Sequence, residues 1–143
     1  MFISYNLKET QALVNKLINQ LKNQNVIALS GDLGSGKTTF TQFIAKTLGV
    51  RQPVTSPTFV LMNIYSVKKH PFIKKLIHVD TYRLNSAQEL IDIGLLDYLN
   101  DPTCLCVIEW PEKIKKFLPK NTINVKLKLG LNEKTRIITF NKI

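Results

Sequence analysis

"GDLGSGKTTF", residues 31–40, decides how the rest of the chain is read. Gly31, Gly36, Lys37 and Thr38 fit G-x-x-x-x-G-K-[ST], the pattern of a glycine-rich loop that holds a phosphate chain. Several backbone N–H groups must approach such a ligand together. Glycines at 31, 34 and 36 remove the side chains that would block them and permit the positive φ angles that aim them inward.

The pattern carries this meaning only between a strand and a helix. "NVIALSGD" (25–32) reads as a short β-branched apolar strand entering the loop, and the spacing predicts a helix from about 37 to 48, closed by Gly49. The helix N-terminus adds partial positive charge. Lys37 reaches the β- and γ-phosphates as a point charge, and the Thr38 hydroxyl is short enough to ligate Mg²⁺. The expected ligand is a nucleoside triphosphate with its Mg²⁺.

Two further apolar strands end in an acid, "LIHVD" in Asp80 and "LCVIE" in Glu109. In an open parallel sheet ligands collect at the carboxyl ends of strands, so both acids are expected to face the loop. One would serve the metal or its waters and the other would orient water for in-line attack. "VTSPTF" (54–59) lies between the loop helix and Asp80, and Thr55, Ser56 and Thr58 offer hydroxyls around Pro57; a plain turn and a γ-phosphate sensor are both open readings. His78 shares a strand face with Asp80 and is read as a satisfied structural histidine, while Trp110 adjoins Glu109 as packing or as a reporter of nucleotide.

Outward from the loop, helix and strand signals alternate. Asn6 with Glu9 forms a capping box, and Leu13, Leu17 and Leu21 recur at helical spacing, predicting a first helix over about 7–22 that packs on the sheet or covers the nucleotide. "FVLMNIYSV" (59–67) alternates as a strand. Ser86 with Glu89 opens one helix carrying Leu90, Ile93, Leu96 and Leu99 to "NDP". "INVKLKL" and "TRIITF", joined around Gly130, predict an antiparallel hairpin. The fold class is α/β, three layers with a mainly parallel central sheet and antiparallel strands toward the C-terminus.

The 143 residues, with no repeat or linker, are expected to make one domain, residues 1–143. The N-terminus lacks the features of a secretory signal, and no apolar run approaches the ~20 residues that span a bilayer, so a cytoplasmic chain without membrane contact is expected. Cys104 and Cys106 alternate onto one strand face as buried small hydrophobes, with no other cysteine to complete a ligand set. The net charge of +10 rests on 17 lysines against 3 arginines, a compositional bias; the clusters at 68–75 and 112–120 have neither interleaved aromatics nor a nucleic-acid-binding pattern. There is no Asn-Lys-x-Asp guanine reader or D-x-x-G switch, which argues against a GTPase. The short chain and scarce arginine argue against a small-molecule kinase. A module in which ATP occupancy sets partner affinity remains the rival to an ATPase.

"GDLGSGKTTF", "SPTF", "HVDTYRL", "QELIDIGLLDYL" and "CVIEWPEK", in this order and spacing, closely resemble the TsaE (YjeE) family, and the likeness runs from about "ETQAL" to "TRIITF". The resemblance implies an accessory P-loop ATPase that acts with TsaB and TsaD in forming N6-threonylcarbamoyladenosine at position 37 of tRNAs reading codons that start with adenine. It implies slow ATP hydrolysis without those partners, and contact with tRNA only through the complex. Carried over by residue, Gly34, Ser35, Gly36, Lys37, Thr38 and Thr39 would cradle ATP, Thr38 and Glu109 would serve Mg²⁺, and Lys37 and Asp80 would assist hydrolysis. The "TSPT" hydroxyls, Thr58 among them, would form the switch, and Thr10 and Arg136 would approach the nucleotide. This chain departs from the family pattern at Ser35, where alanine is frequent, at Phe59, where tyrosine is frequent, and at 60–63, where "VLMN" lacks an acid at Asn63.

Overall fold

Strand β2, Val26–Ser30, is the axis of the sheet. Val26, Ile27, Ala28 and Leu29 are all buried, so both faces are covered, as a continuous apolar run requires. The computed structural model describes residues 1–57 and 59–141. Around β2 stand β1 (Phe2–Ser4), β3 (Met62–Ser66), β4 (Lys75–Asp80), β5 (Cys104–Glu109), β6 (Ile123–Leu129) and β7 (Arg136–Phe140). They form one sheet in the order β1-β7-β6-β2-β5-β4-β3. The four central strands β6, β2, β5 and β4 are parallel.

The expected hairpin is present, with β7 antiparallel to β6. Antiparallel strands also stand where none was anticipated: β3 pairs with β4 at the opposite edge, and β1, too short to read from periodicity, pairs with β7. The two added edges leave β2 at the centre.

Helices α1 (Leu7–Asn19) and α2 (Lys37–Thr47) cover one face. Val14, Leu17 and Ile18 pack there with Phe40, Ile44 and Leu48 over Ile27, Leu29, Leu105 and Val107. The other face carries α3 (Ala87–Asp92), α4 (Leu95–Asn100) and a 3₁₀ segment, Pro111–Phe117. Leu90, Leu95, Leu99 and Ile114 meet Val26, Ile77, Val79, Cys104, Cys106 and Ile108 there. This is the three-layer arrangement expected from the alternating elements.

Three readings of local structure are corrected. The single helix expected from Ser86 onward is two, because Gly94 adopts φ +86 and its N–H donates to Ile91 O at 2.9 Å, ending α3. The reorientation buries Leu95 and leaves Ile93 43% exposed. The alternating run at 59–67 begins its strand only at Met62, with Phe59 91% exposed in a turn, and α1 ends at Asn19 rather than near 22. The expected capping box at Ser86 and Glu89 forms; at α1 only half of the expected box does, since Asn6 Oδ1 accepts from the Glu9 N–H while the Glu9 carboxylate accepts from the Tyr5 N–H, one residue before the cap. No helix among the described residues is long and apolar enough to cross a membrane.

Cys104 and Cys106 are free thiols, both buried on the face that alternation assigned them. Burial, aided by the Asp101 carboxylate, pushes the Cys104 thiol up to about 11, and burial raises Cys106 further. Because the thiolate is the reacting form, the native protein at pH 8 should leave both cysteines unlabelled by a maleimide, and both should label after unfolding in guanidinium. Rapid labelling of the native chain would show that this face opens.

Candidate nucleotide site

The site is built where β2, β4 and β5 end. Leu29 is paired with Glu109, and Glu109 with Asp80, so the two acids stand on adjacent strands beside the strand that feeds the loop. Alternation sends His78, Asp80 and Glu109 to the face that carries α2. The loop leaves β2 under a tight constraint: Gly31 has φ +142, and a Cβ there would stand 2.1 Å from Leu127 O of β6. Only glycine fits. Gly36 then caps α2 at φ +101 without any side-chain bond, so the first N–H groups of the helix remain available to a ligand.

Lys37 is nearly buried and folds back on its own loop. Its Nζ donates to Gly31 O at 2.7 Å and to Asp32 O at 2.8 Å, and it lies 3.8 Å from the Trp110 ring centroid. Burial lowers its pKa, while the carboxylates of Glu109, Asp80, Asp32 and Glu112 act in the opposite direction. Trp110 holds this position with φ +59, and its ring lies 5.0 Å from that of Tyr82. Tyr82 lies inside the "HVDTYRL" motif, but the sequence alone assigns it no role.

Glu109, 2% exposed, is the hub. Thr38 Oγ1 donates to Glu109 Oε2 at 3.1 Å, and His78 Nε2 donates to Glu109 Oε1 at 2.8 Å. Thr41 Oγ1 donates to Lys37 O at 3.1 Å and stands 3.5 Å from Oε1. His78 is buried as read, but it is only half satisfied: Nε2 meets the site acid, a partner that strand spacing alone did not reveal, while Nδ1 has no hydrogen-bond partner among the described residues. Asp80 is half-buried, accepting from Ser56 Oγ at 2.7 Å through Oδ2 and from the Tyr82 N–H at 2.9 Å through Oδ1.

These groups line a cleft of about 350 Å³ that includes Gly34, Lys37, Thr38, Ser56, Asp80 and Glu109. A second cavity of about 420 Å³, lined by Leu7, Thr10, Thr39 and Leu127, meets it at Gly36, Thr39 and Arg136. A larger cleft of about 920 Å³ lies at the other end of α2, around Gly49 and Lys69, away from the loop. Volume alone does not mark the site.

Of the remaining sequence candidates, Arg136 props the loop: its Nε donates to Ser35 O at 2.9 Å and its Nη1 to Glu133 O at 2.6 Å. Thr10 is buried, with its hydroxyl 2.7 Å from that of Ser4, at the wall of the second cavity. Ser35 presents backbone only, since its side chain is fully buried and its hydroxyl has no hydrogen-bond partner among the described residues. Thr58 lies outside the described residues. The donor set of one hydroxyl and one or two carboxylates, with no cluster of three acidic, histidine or cysteine ligands among the described residues, suits Mg²⁺, which keeps waters and phosphate oxygens in its shell, rather than a metal held by protein alone.

The model of the family described as "Threonylcarbamoyl adenosine biosynthesis protein TsaE" matches residues 4–138. The chain belongs to the TsaE family. It is 36% identical over 138 residues to the tRNA threonylcarbamoyladenosine biosynthesis protein TsaE of Mycobacterium tuberculosis, covering 94% of this chain and 82% of that protein. It is 35% identical over 138 residues to the TsaE of Bacillus subtilis, covering 96% and 82%. The crystal structure of Bacillus subtilis YdiB superposes with a TM-score of 0.75 at 30% identity, over 97% of this chain and 82% of that one. The resemblance read from five short motifs therefore extends to the whole described sheet of this TsaE-family chain.

The packing of Gly31 against Leu127 O yields a contrast between neighbours. Gly31→Ala should destabilise this TsaE-family chain by about 3 kcal/mol or more, through clash and backbone strain together. Ser35→Ala, which removes a hydroxyl with no partner, should change stability by less than about 1 kcal/mol. Denaturant unfolding of both variants checks this, and equal effects would contradict the close approach of the loop to β6.

Proposed function

We propose that this chain is a Mg²⁺-dependent ATPase that works with TsaB and TsaD to form N6-threonylcarbamoyladenosine at position 37 of tRNAs reading codons that start with adenine. Membership of the TsaE family assigns it to tRNA threonylcarbamoyladenosine biosynthesis. The finer reading rests on one observation: Thr38 of the loop helix and Glu109 of the neighbouring strand meet at 3.1 Å in the cleft that also holds Lys37 and Asp80.

In this reading the backbone amides from Gly34 to Thr39, with Ser35 contributing its main chain alone, cradle the phosphates. Lys37 would leave Gly31 O and Asp32 O for the β- and γ-phosphate oxygens, whose negative charge would compensate an ammonium that burial disfavours. Thr38 and Glu109 would hold Mg²⁺, which supplies charge neutralisation on the phosphate oxygens when bound. Asp80 orients the water that attacks the γ-phosphorus as the bond to the β-phosphate oxygen breaks, giving ADP and phosphate. Thr10, Thr39 and Arg136 would adjoin the nucleoside, and the "TSPT" hydroxyls, Thr58 among them, would form the γ-phosphate switch.

Slow hydrolysis by the free chain follows from the occupied state of these groups. Asp80 is engaged by Ser56 and by the Tyr82 amide, and Lys37 by its own loop, so each must be released before it can act. The partner proteins would supply that release, with tRNA met through the complex, in the cytoplasm where tRNA is modified.

The test is the ATPase rate with and without TsaB and TsaD. The rate should be low alone and rise with both. Lys37→Ala should lower kcat by about 10²–10³-fold, the usual loss on removing one transition-state donor. Asp80→Ala should retain ATP binding in calorimetry while turnover falls. Vigorous turnover without partners, or an unchanged Lys37→Ala rate, would reject the proposal. Repeated rounds of tRNA modification by a non-hydrolysing Asp80→Ala protein would instead favour a module that acts through ATP occupancy.

A further inference from the structure

Among the described residues, His78 makes a single polar contact, and that contact is with Glu109. Its ring is 0% exposed, and its Nε2–H donates to Glu109 Oε1 at 2.8 Å. An ionised carboxylate only accepts, so the proton on this bond belongs to Nε2. Nδ1 is buried and has no hydrogen-bond partner among the described residues. A histidine kept for packing would be expected to satisfy both nitrogens, since a buried polar atom left unpartnered is costly. The cost is accepted here at the residue that grips the site carboxylate.

The grip divides the two oxygens of Glu109. Oε1 faces inward to His78, with the Thr41 hydroxyl at 3.5 Å, the outer limit of a hydrogen bond. Oε2 faces outward to Thr38 at 3.1 Å. Register makes this arrangement obligatory: His78 stands beside Val107 on the adjacent strand, two residues short of Glu109, on the same sheet face. Without His78, the inner oxygen would keep one marginal partner and the carboxylate could rotate to present both oxygens to the cleft.

We propose that His78 is a positioning residue for the metal: by occupying Oε1 it presents Glu109 to Mg²⁺ through Oε2 alone, beside the Thr38 hydroxyl. The inference rests on the proposed role of Thr38 and Glu109 as metal ligands. Mg²⁺ demands near-octahedral geometry at short distances, whereas Ca²⁺ accepts bidentate carboxylates in a flexible shell. A carboxylate restrained to one oxygen therefore favours Mg²⁺, and donors behind a ligand are typically worth 10–100-fold in metal affinity.

The experiment is calorimetry of ATP binding to the full chain in EDTA and across titrations of Mg²⁺ and Ca²⁺, with His78→Leu, His78→Asn and His78→Gln. Glutamine places an amide N–H where Nε2 stands, whereas asparagine is too short to do so. The Mg²⁺ midpoint should rise by about 10–100-fold in the Leu and Asn variants. It should return to within about threefold of wild type in the Gln variant, and the Ca²⁺ midpoint should move less than the Mg²⁺ midpoint. ATP affinity in EDTA should stay within about twofold throughout, which a merely structural role would not predict. Should the leucine chain fail to fold, the Asn and Gln pair decides alone. A Mg²⁺ midpoint unchanged in the Asn variant, or equal losses for Asn and Gln in EDTA, would overturn the role of His78 and leave the metal reading standing. A wild-type protein whose ATP binding ignores Mg²⁺ would overturn both.

Discussion

A carboxylate withdrawn from water must be compensated by donors, and Glu109 is that carboxylate here. It lies at the end of β5, a strand buried along its whole length, and it gathers hydrogen bonds from two other elements: Thr38 from α2 and His78 from β4. Removing any one would leave charge partly uncompensated in a water-poor place. The geometry of the site follows from this constraint, because the first turn of α2 and the end of β4 are both tied to one side chain.

The sheet makes the tie feasible. Parallel pairing of β2, β5 and β4 brings three carboxyl ends to one edge, and the register sets Leu29, Glu109 and Asp80 in one row. In a layered fold of this kind the loops beyond that edge form a crevice facing the helix N-terminus, where amides and partial positive charge await an anion. On the far side of β2, the close contact of Gly31 with Leu127 O locks the loop to β6, and Arg136 at the start of β7 holds Ser35 O. The hairpin of β6 and β7 thus braces the glycine-rich loop.

The free chain has its working groups engaged internally. Lys37 is shared between two loop carbonyls and the face of Trp110, while Asp80 is bonded to Ser56 and to the Tyr82 amide. Under the proposed function, phosphate and water would take the place of these contacts. Trp110, in a left-handed conformation immediately after Glu109, and Tyr82, two residues after Asp80, form the aromatic wall that links the ends of both acidic strands. This site couples its two strands through aromatic packing as well as through charge.

By itself, the sequence determined the loop, its flanking strand and helix, the two acids at strand ends, the hairpin and the capping box at Ser86 and Glu89, since each depends on residues close in the chain and on the periods of 2 and 3.6. It also placed Cys104 and Cys106 on one buried face by alternation. Tertiary structure alone decided the rest. Gly94, in the left-handed region, divided the expected helix and Leu95 became buried against the sheet, and β1 exists because three residues found an open edge of β7. The bond from His78 to Glu109 spans 31 positions, and that from Arg136 to Ser35 spans 101. No local pattern encodes such pairs, because the register of strands brought together from distant parts of the chain sets which side chains meet.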